Sequence, residues 1–303
     1  MAFTYDRPVD PDNPNSSHAS VLDIVGFNQR VLEVGCATGH VTKALTERGC
    51  TVVGIEGDAD AAAVAEKWAE RVVVGDLDAG TLWSELEGEQ FDAVTFGDVL
   101  EHLRDPLVAL RAAVRLLKPS GVVAISVPNV AHGDVRMALL LGDFPYSEIG
   151  LLDRTHLRFF TKRGLWDLVR QSGLLLVETR RIAVPLFQTE VVVDRDGIDQ
   201  STVSLIMRDP EAETYQFVIK AVPDNGTHDL AALAAQVHDL SEQVHEEEAR
   251  RAQLQRDMEQ LRIEREESRR EVDAIRNTKT FRLLDPLRRL YGRVTPGPPP
   301  PGA

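Results

Sequence analysis

Two cysteines in 303 residues, Cys36 and Cys50, are too few for a disulfide framework or a cysteine-rich zinc cluster. Positive charge is also scarce: 34 Lys and Arg stand against 48 Asp and Glu, a formal net charge of −14. A grip on nucleic acid depends on neutralising phosphates with Lys and Arg, so this balance argues against a nucleic-acid partner. No apolar run reaches membrane-spanning length, and the start MAFTYDRPVD lacks the charged-then-apolar order of a signal peptide. The expectation is a soluble, cytoplasmic protein. At 43% hydrophobic, the chain can bury one core of about 200 residues, with chain left over.

A dinucleotide-type phosphate loop is missing too. That loop needs G-x-G-x-x-G, with bare amides facing a pyrophosphate at a helix N-terminus. In its place stands Val31-Leu32-Glu33-Val34-Gly35-Cys36-Ala37-Thr38-Gly39. An apolar run rises into an acid, then a small Gly-bracketed turn, and a helical pattern follows from His40 to Arg48. This reads as a strand feeding a tight turn at the carboxyl end of an open α/β sheet, where such sheets bind ligands. A second strand, Thr51 to Ile55, ends in Glu56, an acid placed to hold two ribose hydroxyls. Glu33 would repel a pyrophosphate but suits the ammonium of a methionine moiety.

The pattern resembles motif I of the class I S-adenosylmethionine-dependent methyltransferases, whose usual form is acid-x-Gly-x-Gly-x-Gly. Ala37 stands where the family has its middle glycine. Arg71 to Leu77 predicts a third strand ending in Asp76, and Phe91 to Phe96 a fourth, with Asp98-Val99-Leu100-Glu101-His102 at its lip. A helix from Asp105 to Leu117 should stop at Lys118-Pro119-Ser120-Gly121, and a fifth strand should run from Val122 to Val127. These elements resemble the same family over roughly residues 28–130. The resemblance implies S-adenosylmethionine as cofactor, with Glu33, Gly35 and Gly39 toward its methionine part and Glu56 toward its ribose. It implies Asp76 and Leu77 at the adenine, and Asp98 touching the cofactor from the lip.

Methyl transfer needs donor and acceptor held close, and a base if the acceptor is a hydroxyl. The acceptor side of this fold is built from the N-terminal segment, the lip and the insertion after the fifth strand. Before the first strand, Ser16 or Ser17 suits a helix cap, while His18 or Tyr5 suits the mouth of the site. The insertion, residues 129–161, carries His132, Arg136, Phe144, Tyr146, Asp153, Arg154, His156 and Arg158. Neutral imidazole is a suitable base near neutral pH. His156 and His132 are therefore the catalytic candidates, with Asp153 as a residue that orients His156; structural bracing of the insertion by Asp153, Arg154 and Arg158 is the alternative. His102 is a candidate for positioning acceptor or cofactor. Asp98, Glu101, Asp134 and Asp153 are the carboxylates able to gather on a metal, and no metal is expected. The run Asp153 to Thr161 resembles a bacterial methyltransferase subfamily linked to glycan and secondary-metabolite pathways.

The tail has a different character. From Leu230 a heptad register places Leu230, Leu233, Val237, Leu240, Val244, Leu254, Met258, Leu261, Val272 and Ile275 at core sites, with no Pro or Gly between. A coiled coil over 228–277 is expected, self-associating or docking on a partner helix; a lone charged helix is the alternative. Residues 278–303 form a basic, amphipathic and then Pro-rich end, with peripheral membrane contact as one use. The run Asn277 to Arg288 resembles an element at the ends of bacterial glycosyltransferases and glycan-modifying proteins.

The expected architecture is an N-terminal cap segment (1–28), then an α/β domain (29–222) with a doubly wound, seven-stranded, mostly parallel sheet. Helix Lys162–Gln171, strand Leu174–Ile182, a loop or lid at 184–201 and an antiparallel strand Tyr215–Val222 at or near the edge should complete it. The expected activity is O-methylation of a sugar, glycan or related small molecule. N- or C-methylation of a metabolite is one alternative, and a non-catalytic coiled-coil scaffold in glycan assembly is another.

Overall fold

The computed structural model describes residues 9–224 and scattered helical positions between 250 and 274. The chain divides into two units, Met1–Gln243 and Val244–Ala303. In the first unit, Val- and Ile-rich runs form β1 (Arg30–Val34), β2 (Thr51–Glu56), β3 (Arg71–Val74), β4 (Phe91–Gly97) and β5 (Leu117–Pro128), all paired in parallel. β6 (Leu174–Ala183) and β7 (Thr214–Pro223) complete a seven-stranded sheet of order β3-β2-β1-β4-β5-β7-β6. β7 is antiparallel to both neighbours and sits one strand in from the edge that β6 forms.

Strands buried on both faces need helices on both, and the sequence supplies them. α1 (Ser17–Val25) and α2 (His40–Glu47) cover one face, where Leu22 and Leu45 pack with Val31, Val52, Ala93, Ala124 and Val218. α3 (Ala59–Ala65) packs on β2 and β3. On the other face α4 (Pro106–Arg115) and α6 (Lys162–Gln171) bring Leu110, Ala113, Leu165 and Val169 against Leu32, Val34, Phe96, Ile125 and Ile219. Caps set the helix starts: Ser16 accepts from the Ala19 amide, Asp58 from Asp60, Asp105 from Val108 and Thr161 from Gly164.

Three boundaries differ from expectation. The helix from Asp105 ends at Arg115, before Lys118-Pro119-Ser120-Gly121 as expected, but no loop follows. β5 starts at Leu117 and runs through these four residues, with a register shift between Phe91↔Leu117 and Ala93↔Val122. The Pro and Gly mark an irregularity in the strand rather than a loop. Next, the insertion contains a helix, α5 (Gly133–Leu140). Finally, the 184–201 stretch leads into a further short helix, α7 (Gln200–Ile206).

Most of the heptad segment and all of 278–303 lie outside the described residues, as does Tyr5. Of the heptad core sites, Met258 and Leu261 are described; both are helical and exposed, at 70% and 63%. Among the described residues no helix is long and apolar enough to cross a membrane.

Candidate active site

The parallel register brings the strand ends to one lip. Gly35 N–H and Cys36 N–H both donate to Ile55 O, at 2.8 and 3.0 Å. Gly75 N–H donates to Glu56 O at 2.9 Å and Asp98 N–H to Ser126 O at 3.2 Å. Glu33, Glu56 and Asp98 therefore lie at the same, carboxyl end of the parallel strands.

At its centre the chain makes a left-handed turn. Gly35 and Gly39 have φ of +74° and +82°, and Ala37 between them has φ +47°. A Cβ on Gly35 would stand 2.4 Å from Val99 Cγ2, and one on Gly39 would stand 2.8 Å from Ala65 Cα. Both glycines are thus required twice over, by dihedral and by space. Glu33 lies beneath the turn, 5% exposed, and accepts from Thr42 Oγ1 at 2.6 Å. Burial pushes its carboxyl up to about 8; the Thr42 hydrogen bond opposes that and the Glu56 charge adds to it. Glu56 Oε2 accepts from Ala37 N–H at 2.8 Å, while Oε1 accepts from Gly57 and Asp58 N–H at 2.8 and 2.9 Å. Asp76 caps the 3-10 turn Leu77–Ala79 through the Asp78 amide, and Leu77 is partly buried against the core.

At the β4 lip, Asp98 has φ +56°, a sparsely used conformation for a residue with a side chain. Its Oδ1 accepts from Ser126 Oγ at 3.0 Å on β5 and from Gln216 Nε2 on β7. Desolvation raises its pKa, against those two hydrogen bonds and the influence of His102 and His40. Gln216 was not among the residues singled out from sequence. Its position on β7, 118 residues from Asp98 in chain order, offers no local signal.

The insertion is tied to the same lip through backbone. Leu157 and Arg158 N–H donate to Glu101 O at 2.8 and 2.9 Å. This sets His156 over Glu101, in a cleft lined also by Pro128, Val130, Leu151, Arg158, Phe159 and Phe160. The His156 pKa is lowered, first by burial and then by the neighbouring His102, against the Asp153 charge, and this lowering favours the neutral imidazole. Glu101 is 1% exposed, neither carboxylate oxygen has a hydrogen-bond partner, and burial holds its pKa well above the usual carboxylate range. Glu101, His102 and His156 offer donor atoms within 4.8 Å of one another. This acid-and-imidazole group is the convergence on the acceptor side.

One expectation for this side needs correction. His132 is fully buried at the start of α5, where Nδ1 accepts from Asp134 N–H at 3.1 Å and Nε2 faces Val184 O at 2.9 Å. Both ring nitrogens are committed to backbone, so His132 is a structural cap and not a base. Asp153 Oδ1 accepts from Thr155 N–H and Thr155 Oγ1–H, at 2.8 and 2.7 Å. That oxygen closes a short Asx turn, and the Asp153 charge also acts on His156, raising its pKa against burial. Asp134 turns from the site, accepting from Phe187 N–H and Thr189 Oγ1–H. On the N-terminal side, His18 meets His40 edge-on with ring centroids 5.0 Å apart, and Ser16 is the cap.

A doubly wound sheet of this order, with an acid under a glycine turn and a second acid at the β2 tip, defines a class I S-adenosylmethionine-dependent methyltransferase. Residues 11–179 match the model of a family described as a methyltransferase domain, and the chain belongs to that family. It is similar to a ubiquinone biosynthesis O-methyltransferase of Dinoroseobacter shibae, 31% identical over 58% of this chain and 73% of the relative. The corresponding protein of Ruegeria pomeroyi is 32% identical with the same coverage. A crystal structure of a SAM-dependent methyltransferase from Archaeoglobus fulgidus shares the fold, with a TM-score of 0.50 and 18% identity over 70% of this chain and 94% of that one.

Proposed function

We propose that the protein transfers a methyl group to a hydroxyl oxygen of a ring-bearing small molecule, with His156 as the base. The observation that carries this reading is a half-buried imidazole in a cleft beside the lip, its pKa lowered by burial. The printed names of the curated relatives, O-methyltransferases, support oxygen as the accepting atom.

The bound cofactor supplies a methyl group already activated by its sulfonium. Glu33, Gly35 and Gly39 hold its methionine part, Glu56 its ribose, and Asp76 with Leu77 its adenine; Asp98 closes the site from the lip. The bare turn at Gly35 and Gly39 lets backbone come close to the ligand. Glu56 keeps acceptor capacity on Oε2, which takes a single amide. On the acceptor side His156 takes the hydroxyl proton as the oxygen attacks, and the apolar wall of Val130, Leu151, Phe159 and Phe160 keeps water out. That lining suits an aromatic or otherwise apolar ring. The sugar or glycan acceptor implied by the subfamily resemblance finds no support in the relatives' names.

A screen of sugars, nucleotide sugars and phenols for S-adenosylmethionine-dependent methylation tests the reading. Turnover with a hydroxyl acceptor, lost by about 100-fold or more in His156→Ala, is expected. Transfer only to amines or carbon acids, with His156→Ala unaffected, would overturn it.

A further inference from the structure

Asp98 follows β4 in the left-handed region, with φ +56°, and three hydrogen bonds to neighbouring strands hold it there. Its N–H donates to Ser126 O at 3.2 Å, Ser126 Oγ–H donates to its Oδ1 at 3.0 Å, and Gln216 Nε2–H donates to the same oxygen from β7. Both donors are buried, Ser126 at 1% and Gln216 at 7% exposed. A carboxylate oxygen offers about two acceptor sites, and these donors fill both on Oδ1. Among the described residues no donor takes Oδ2, and no Lys or Arg pairs with the Asp98 charge. One oxygen is fixed by the sheet and the other is left to a ligand.

The location narrows what that ligand group is. Val99, the next residue, packs on the cofactor turn: a Cβ on Gly35 would stand 2.4 Å from Val99 Cγ2. Glu101, three residues on, lines the cleft with His156. Asp98 therefore stands where the turn meets the acceptor side. The part of S-adenosylmethionine that must lie at this junction is the sulfonium, because it carries the methyl group to be passed across. We propose that Gln216 and Ser126 are positioning residues that hold the Asp98 carboxylate toward the sulfonium of S-adenosylmethionine, so that this lip reads the positive charge of the unspent cofactor. The sulfonium loses its charge as the methyl group leaves, so the attraction serves capture of the cofactor rather than the rate of transfer. The proposal rests on the cofactor placement above and not on which atom accepts the methyl group.

S-adenosylhomocysteine keeps every group of the cofactor except the methyl group and the charge on sulfur. Calorimetric titration of the full chain with each ligand gives the ratio of the two dissociation constants, which a general loosening of the lip would leave unchanged. The ratio should move against S-adenosylmethionine by about tenfold in Asp98→Asn, and by about threefold in Gln216→Met and in Ser126→Ala. Adding Gln216→Met to Asp98→Asn should move it no further, because Gln216 acts through Asp98. Should Gln216→Met fail to fold, Ser126→Ala alone and in the Asp98→Asn background gives the same reading. An unchanged ratio in Asp98→Asn, or equal weakening of both ligands in all three variants, would overturn the proposal. So would an effect of Gln216→Met that persists in full beside Asp98→Asn. Failure of the wild type to bind either ligand would instead remove the cofactor placement, and this proposal with it.

Discussion

The carboxylate of Glu56 accepts the backbone N–H of Ala37 at 2.8 Å, linking the turn after β1 to the tip of β2. The donor residue has φ +47°. The acid that should hold the cofactor's ribose is therefore aimed by a residue in a conformation that side chains disfavour. The family's usual glycine at this place meets the same backbone need without the cost.

Ala37→Gly should relieve that strain and raise stability by up to about 1 kcal/mol, part of the gain being offset by glycine's greater freedom in the unfolded chain. Urea unfolding at an unchanged slope measures it; a destabilised variant would contradict the account.

Gly35→Ala should act in the opposite direction. The new Cβ would meet Val99 Cγ2 at 2.4 Å, and φ is +74°. A loss of about 1–3 kcal/mol is expected, with weakened cofactor binding, read by urea unfolding and titration on the same preparation.

Glu33 gives a pH signature. The unfolded side chain ionises near pH 4.5 and the folded one near about 8. Between those values the folded protein keeps a proton that the unfolded chain has released, so this group lowers stability progressively as pH rises through the window. Below the window it contributes no difference; above it the penalty is complete and flat. Glu33→Gln does not titrate, so its stability advantage over the wild type should grow from pH 5 to pH 8. Parallel unfolding curves for the two proteins across that range, without cofactor, would show the opposite.

His132 and Asp134 should behave as structural residues. Removing Asp134 leaves the Phe187 and Thr189 donors unpaired, at a cost of about 1–3 kcal/mol. His132→Ala should cost about 1–2 kcal/mol through its cap. Assayed well below its unfolding temperature, His132→Ala should keep most of its kcat, whereas His156→Ala should not.

The parts of the molecule that could be read from its sequence are those where one local pattern admits one structure. Val-rich runs carrying or leading to Glu33, Glu56, Asp76 and Asp98 gave their strands, and Ser16, offered with Ser17 as a cap, gave a helix start. Lys118-Pro119-Ser120-Gly121 marked the end of the helix but hid the start of β5, because Pro and Gly signal a turn locally while pairing with β4 carries the strand through them. His132 and His156 look alike in sequence. Only the fold shows that Val184 and Asp134 occupy one ring, while the other stands over Glu101. Asp153 acts on the histidine three residues on through its charge, and the turn it makes with Thr155 was not visible in the spacing. Gln216, on the last strand of the sheet, reaches Asp98 only through the β5–β7 pairing.

The most direct test of the central claim is calorimetric titration of the full chain with S-adenosylmethionine, repeated on Glu56→Ala. Saturable one-site binding that is lost or greatly weakened in the variant is the predicted result. Absence of binding to the wild type, or equal binding by both proteins, would contradict the assignment of this lip as the cofactor site.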